Sequence, residues 1–251
     1  MPKVEFKIMS LEDNINFIKE IYYSDDNILD IYKYTISLFP ELSDINKNAS
    51  KKDIDSKIEA VVTKRYNDRK EMIEDDILRY QKLWEPYNDN FFDALANYLN
   101  IKWPTNHDTI IADVGIIPVC PRYLEDFRFS IHDGMKDDLL IETCAHELCH
   151  FLWFEKWKEI YPLTKNEEFE SPNIVWEYSE MVVDPILNSK IISKVLNRNT
   201  RYAYDYFYNI KDRNQMMMDK LFDIYNNDID IEHKIIRGFE YISNLKKVSK
   251  N

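Results

Sequence analysis

Apolar positions in this chain recur mostly at helical spacing. From Leu11 to about Asn100 they fall three or four residues apart, with breaks near Pro40, from Ser43 to Ser50 and at Pro86. That pattern reads as a succession of helices. Within it, Ile54 to Trp84 is long and highly charged, with Ile58, Val61, Val62, Met72, Ile73, Ile77 and Leu78 at helical spacings. Residues 3–9 alternate weakly, as a short strand does. The pattern changes at Thr109. From there to Pro121 the chain is β-branched and punctuated by Pro118 and Pro121, which predicts strands and their turns. Phe127, Phe129 and Ile131 alternate with Arg128, Ser130 and His132, a half-buried strand expected at a sheet edge and closed by Asp133-Gly134. Helical periodicity returns from about Lys136 to Ile160, where Ile141, Ala145, Leu148 and Leu152 make an apolar stripe. Ser171-Pro172 is expected to open a further helix reaching about Leu187, with Pro185 able to kink it. Two more helices are expected, over roughly 202–226 and 231–246.

The expected class is therefore α+β and predominantly helical. Two regions are expected: 1–105, N-terminal and helical, a candidate cleft wall, and 106–251, with strands over 109–132 and helices over 136–160 and 172–187. Composition agrees with this and adds limits. The 251 residues are 45% apolar and include only three Gly and nine Pro, so a sizeable core is possible and the composition argues against a loop-rich chain. A net charge of −12 argues against nucleic acid or anionic membrane as a partner, since both need clustered cations. The local groups Lys64, Arg65, Arg69, Lys70 and Lys246, Lys247, Lys250 read as solvated surface. The start has no apolar signal core, no stretch approaches the roughly 18 apolar residues of a membrane span, and the three cysteines lack framework spacing. A cytoplasmic protein with reduced thiols is expected.

Chemistry concentrates at His146-Glu147-Leu148-Cys149-His150. Residues four apart on a helix share a face, so His146 and His150 can grip one ion. Glu147 is displaced around the helix, where its carboxylate can reach a water on an open metal position without becoming a ligand. The three fixed positions arise by chance in about one chain in a hundred of this length, so the surroundings matter. They are strongly apolar: Leu139-Leu140-Ile141 precede the motif and Phe151-Leu152-Trp153-Phe154 follow it. Two imidazoles and a carboxylate buried there without partners would cost several kcal/mol, on the order of the penalty for any unpaired buried polar group.

A catalytic zinc needs a third protein ligand, and no further histidine follows at the spacing of the three-histidine class. Instead, Glu177, Glu180 and Asp184 share one face of the next helix. Their plain explanation is the wet edge of an amphipathic helix; their functional one is a ligand set.

His146-Glu147-x-x-His150 followed by Glu180-x-x-x-Asp184 resembles the gluzincin, or thermolysin-like, metallopeptidases. The resemblance spans about Arg122 to Leu187. It implies one zinc ion per chain, Glu180 as third ligand, Asp184 as the carboxylate that orients a ligand histidine, and Glu147 as general base on a peptide or protein substrate. Glu177 ranks below Glu180 because Met181 stands at its +4 position. The same resemblance implies a zincin-like core with a small sheet, a substrate-holding edge strand at 127–132, and an oxyanion donor from a later helix, for which His233, Tyr202, Tyr204, Tyr206 and Tyr208 are candidates. Shorter segments, Pro121-Arg122, Phe129-Ser130-Ile131, Ala145 to Phe151 and Ser179-Glu180, are similar to uncharacterised bacterial zincin-like proteins. An alternative is a zincin-fold regulatory or binding protein with little or no turnover. Cys149 reads as a packing thiol, Met216 to Met218 as packing, and His132 and His107 as strand and loop histidines.

Overall fold

The computed structural model describes residues 1–24, 31–45, 49–105 and 107–249, so Lys250 and part of the expected break at 43–50 lie outside the described residues. The chain is α+β and mostly helical, with 64% of it in helices and one small mixed sheet. It separates into two compact bodies. Lys3–Pro86 joins Thr109–Thr143, while Met1–Pro2 and Tyr87–Asp108 join Cys144–Asn251. This partition cuts across the expected division near residue 105, because the first strand pairs with a strand a hundred residues later.

In the first body, β1 (Lys3–Ile8) lies parallel to β2 (Thr109–Gly115), with Val4 opposite Ile110 and Phe6 opposite Ala112. β2 in turn pairs in parallel with β4 (Arg128–His132), and β3 (Arg122–Tyr123) runs antiparallel to β4. The order is β1-β2-β4-β3, which places β4 inside the sheet. Expectation and structure part here. The free side of β4 is taken by β3 at Arg128 and Phe129 and by the Pro121 carbonyl, which accepts from Ser130 N at 2.9 Å. The strand expected over 109–121 stops at Gly115, and the segment carrying Pro118 and Pro121 folds back beside β4.

Helices cover this sheet. α1 (Leu11–Tyr23) and the 34-residue α3 (Lys51–Trp84) both begin at serines, Ser10 and Ser50, whose hydroxyls accept from the backbone N–H three residues on. α2 (Ile31–Leu38) lies between them in sequence. The buried stripe of α3 runs through Ile54, Ile58, Val62, Tyr66, Ile73, Tyr80 and Trp84, while Met72 and Leu78 stay exposed. Gln81 on α3 gives its amide to Val4 O (3.0 Å) and accepts from Phe6 N (3.1 Å), which satisfies the open edge of β1. The first basic group is partly spent on structure: Arg65 pairs with Glu41 at 3.0 Å and Arg69 with buried Asp133 at 2.5 Å.

α5 (Asp137–Ile160) contains the division between the bodies, at Thr143–Cys144. The second body holds the remainder of α5 with α4 (Asn88–Leu99), α6 (Ile174–Leu187), α7 (Lys190–Leu196), α8 (Met217–Asn226), α9 (Ile231–Ser249) and a hairpin of β5 (Lys211–Asp212) and β6 (Gln215–Met216). α6 begins after Asn173, later than Ser171-Pro172 suggests, and the Asn173 amide is tied to the carbonyls of Glu167 and Glu170. The helix expected over 202–226 survives only as α8. A 3-10 turn over Asp205–Asn209 and a hairpin bend at Arg213 (φ +56°) replace its first half, where Asp212, Arg213 and Asn214 are turn-forming residues. An aromatic core of Trp153, Trp157, Tyr178 and Tyr225 fastens α5, α6 and α8. α9 approaches closely at Gly238, where a Cβ would lie 2.2 Å from the Tyr178 hydroxyl oxygen. No helix among the described residues is long and apolar enough to cross a membrane.

Candidate metal centre

α6 and the middle of α5, Cys144 to Phe154, are buried around nearly their whole circumference. From Val175 to Leu187 only Glu177 escapes full burial. Each polar side chain on them must therefore find a partner or carry a large desolvation cost. Glu180 and Asp184 are each 1% exposed, which excludes the solvated-edge explanation for both. Glu177 lies at the rim of α6 and is ion-paired with Lys246 of α9.

Glu180 faces the two motif histidines. His146 Nε2 and His150 Nε2 are 2.9 Å apart; Glu180 Oε2 is 3.2 Å from the first and Oε1 is 3.4 Å from the second. These three residues form the one His/Cys/Asp/Glu group among the described residues whose donor atoms converge closely enough to hold a metal ion. Ligands about 2 Å from a tetrahedral ion sit about 3.3 Å from one another, so the spacing fits a divalent cation at their centre. The burial is asymmetric: the side chains of His150 and Glu180 are 1% and 2% exposed, and that of His146 is 15% exposed. Access is from the His146 side. Glu147, next in sequence, is 6% exposed and stands outside the converging trio.

His146 is oriented from behind. Its Nδ1 lies 3.1 Å from the Tyr202 carbonyl, which can only accept, so the Nδ1–H tautomer satisfies this contact and leaves the Nε2 lone pair toward Glu180 and His150. Asp184, expected to orient a histidine, has one main-chain and one side-chain donor at its Oδ1: Tyr202 N (3.2 Å) and the Asn188 amide (2.6 Å). His150 is stacked on Phe154 with ring planes 21° apart. The sequence offered no signal for Tyr202 in this role, because a carbonyl belongs to every residue; Asn188 was visible only as a polar residue one turn past Asp184.

Burial pushes the Asp184 carboxyl up to about 6, against the hydrogen bonds from Tyr202 and Asn188 that pull it down. Unfolded, it titrates near 4. Between those values the folded chain holds the proton more tightly than the unfolded chain does. Stability from this group is thus complete below about pH 4 and is lost as pH rises through about 6. In chelator-treated protein the loss is expected to reach at most about 3 kcal/mol, read as a falling urea midpoint. Asp184→Asn should flatten that part of the profile; an unchanged slope would assign it to another group.

The remaining candidates are placed as follows. Tyr204 and Tyr206 are exposed at the start of the 3-10 turn and stack with ring planes 18° apart, with Tyr206 seated on fully buried Phe207. Partial burial, followed by the charge of Glu180, pushes the Tyr206 phenol up to about 12. Tyr208 packs against Arg201. His233 is exposed at the start of α9 and bound to Asp230 at 2.7 Å. His132 belongs to the first body, beside Asp133, and burial pushes its imidazole below the usual range. Cys149 is buried, and burial with the Glu180 charge pushes its thiol well up, so it is a packing residue. A cavity of about 1080 Å³ in the second body is lined by Asn97, Asn100, Trp103, His107, Glu155 and Glu159, and the trio has no part in it.

No protein-family model, curated protein or solved structure matches this chain, so its own geometry carries the functional reading.

Proposed function

We propose that the chain is a zinc-dependent peptidase in which His146, His150 and Glu180 hold the metal and Glu147 is the general base. The observation that carries this reading is the convergence of three donors, two of them buried, with a second carboxylate, Glu147, buried on the same helix and left out of the ligand set. Two imidazoles with one carboxylate are a zinc donor set, and three protein ligands leave a position for water. A purely structural site closes that position and has no use for a base, so Glu147 favours the enzyme over a zincin-fold binding protein.

Bound zinc would acidify a water molecule and polarise the scissile carbonyl. Glu147 takes the proton of the attacking water and delivers it to the leaving amine nitrogen, so one carboxylate serves as base and then as acid. His146 stays fixed by the Tyr202 carbonyl throughout, and the apolar walls of α5 and α6 keep bulk water from the Glu180 side. The Tyr206 phenol feels the charge of Glu180 and is protonated at neutral pH as any tyrosine is, so it is the tyrosine we propose as donor to an oxyanion. Tyr206→Phe is accordingly expected to lower kcat by about a hundredfold with metal content unchanged; an unaltered kcat would remove Tyr206 from the mechanism. The whole reading is tested by exposing a peptide library to the zinc-loaded chain. Cleavage abolished by a chelator and restored by zinc is expected, whereas zinc binding without cleavage would favour the binding protein.

A further inference from the structure

The contact that orients His146 comes from a stretch with no regular secondary structure, and one side chain gathers that stretch onto α6. Residues 200–202 belong to no helix or strand. Asn188, which closes α6, points its amide nitrogen at Asp184 Oδ1 (2.6 Å), Thr200 O (2.8 Å) and Asp184 O (3.1 Å). An amide nitrogen carries two hydrogens, and the two shortest contacts use both. The same Asp184 oxygen accepts from Tyr202 N at 3.2 Å. Both ends of the 200–202 stretch are therefore fastened to α6, and the Tyr202 carbonyl is held 3.1 Å from His146 Nδ1.

Acceptors on both sides of the ring compete for the single proton of His146 in its neutral form. The Tyr202 carbonyl claims it at Nδ1, while the Glu180 carboxylate, 3.2 Å from Nε2, and His150 Nε2, 2.9 Å away, claim it on the other side. A carboxylate is the stronger acceptor. Left to that contest, the imidazole would turn a protonated Nε2 toward the ligand cluster and lose the lone pair that a cation needs. A carbonyl can prevail only if it is held in place. We infer that Asn188 is a positioning residue for His146: by clamping residues 200–202 to α6 it fixes the carbonyl that keeps the proton on Nδ1. The effect on metal affinity rests on the proposed ligand role of His146; the tautomer is a property of the metal-free chain and does not.

The test is long-range nitrogen-15 NMR of the imidazoles in the metal-free full chain at about pH 8, above the ordinary imidazole range, with zinc affinity measured alongside by chelator competition. The unaltered chain is expected to hold His146 as the Nδ1–H tautomer. Asn188→Asp keeps the shape and removes both donors; it is expected to move His146 toward Nε2–H and to weaken zinc binding by about 10–100-fold. Asn188→Ala, which adds no charge beside Asp184, should do the same and covers the case in which the added carboxylate prevents folding. An Nε2–H tautomer in the unaltered chain would overturn the proposal without any variant, as would Asn188→Ala with tautomer and zinc affinity both unchanged. A tautomer that switches as expected in a chain that binds no zinc would sustain the positioning role and sink the metal reading instead.

Discussion

Glu147→Gln is expected to cut peptide hydrolysis by about a thousandfold while leaving zinc content and the urea midpoint close to those of the unaltered chain. The substitution keeps the size of the side chain and removes its ability to take a proton. Gln can still hydrogen-bond to a water, so substrate binding should change little and the loss should appear in kcat. Because Glu147 lies outside the converging donors, the ligand set remains whole. Equal cleavage by both proteins would exclude Glu147 as the base, and no cleavage by either would shift the reading to a binding protein. The comparison needs matched metal content, since a preparation short of zinc would imitate the variant.

The two helices that carry the site were legible in the sequence for one reason. α6 and the middle of α5 are apolar stretches in which a few polar residues stand out, and burial makes each of those residues an exception that needs a partner. α5 shows this at His146, Glu147 and His150, α6 at Glu180 and Asp184. Choosing Glu180 over Glu177 rested on spacing alone in the sequence; in the structure Glu177 is occupied by Lys246, a residue from a helix nearly seventy positions later that no local pattern indicates. The parallel pairing of β1 with β2 was equally out of reach, since strand partners are selected by tertiary packing across a hundred residues. The aromatic run Tyr202 to Tyr208 misled for a different reason. Tyr204 and Tyr206 pack at a 3-10 turn against buried Phe207, and nothing in the spacing of the run separates that from a helix face. What orients His146 is main chain from this same run, and a carbonyl has no residue signature.

Glu180→Ala is expected to reduce zinc affinity by well over a hundredfold, beyond the 10–100-fold typical of losing an outer hydrogen-bond partner, and to abolish hydrolysis with it. The carboxylate supplies the one negative charge of the proposed ligand set, and its removal leaves two imidazole nitrogens 2.9 Å apart where both had faced a carboxylate. Glu177→Ala is the matched control, because it deletes a carboxylate from the same helix three residues away whose partner is Lys246. Zinc affinity should there stay near that of the unaltered chain, with a stability loss of about 1 kcal/mol or less for a rim ion pair. The contrast separates the two functions of the acidic face of α6. If Glu177→Ala weakened zinc as much as Glu180→Ala, the effect would come from helix stability and not from ligation. If neither did, His146, His150 and Glu180 would be a hydrogen-bonded cluster that needs no metal, and the chemistry assigned to Glu147 would lose its foundation.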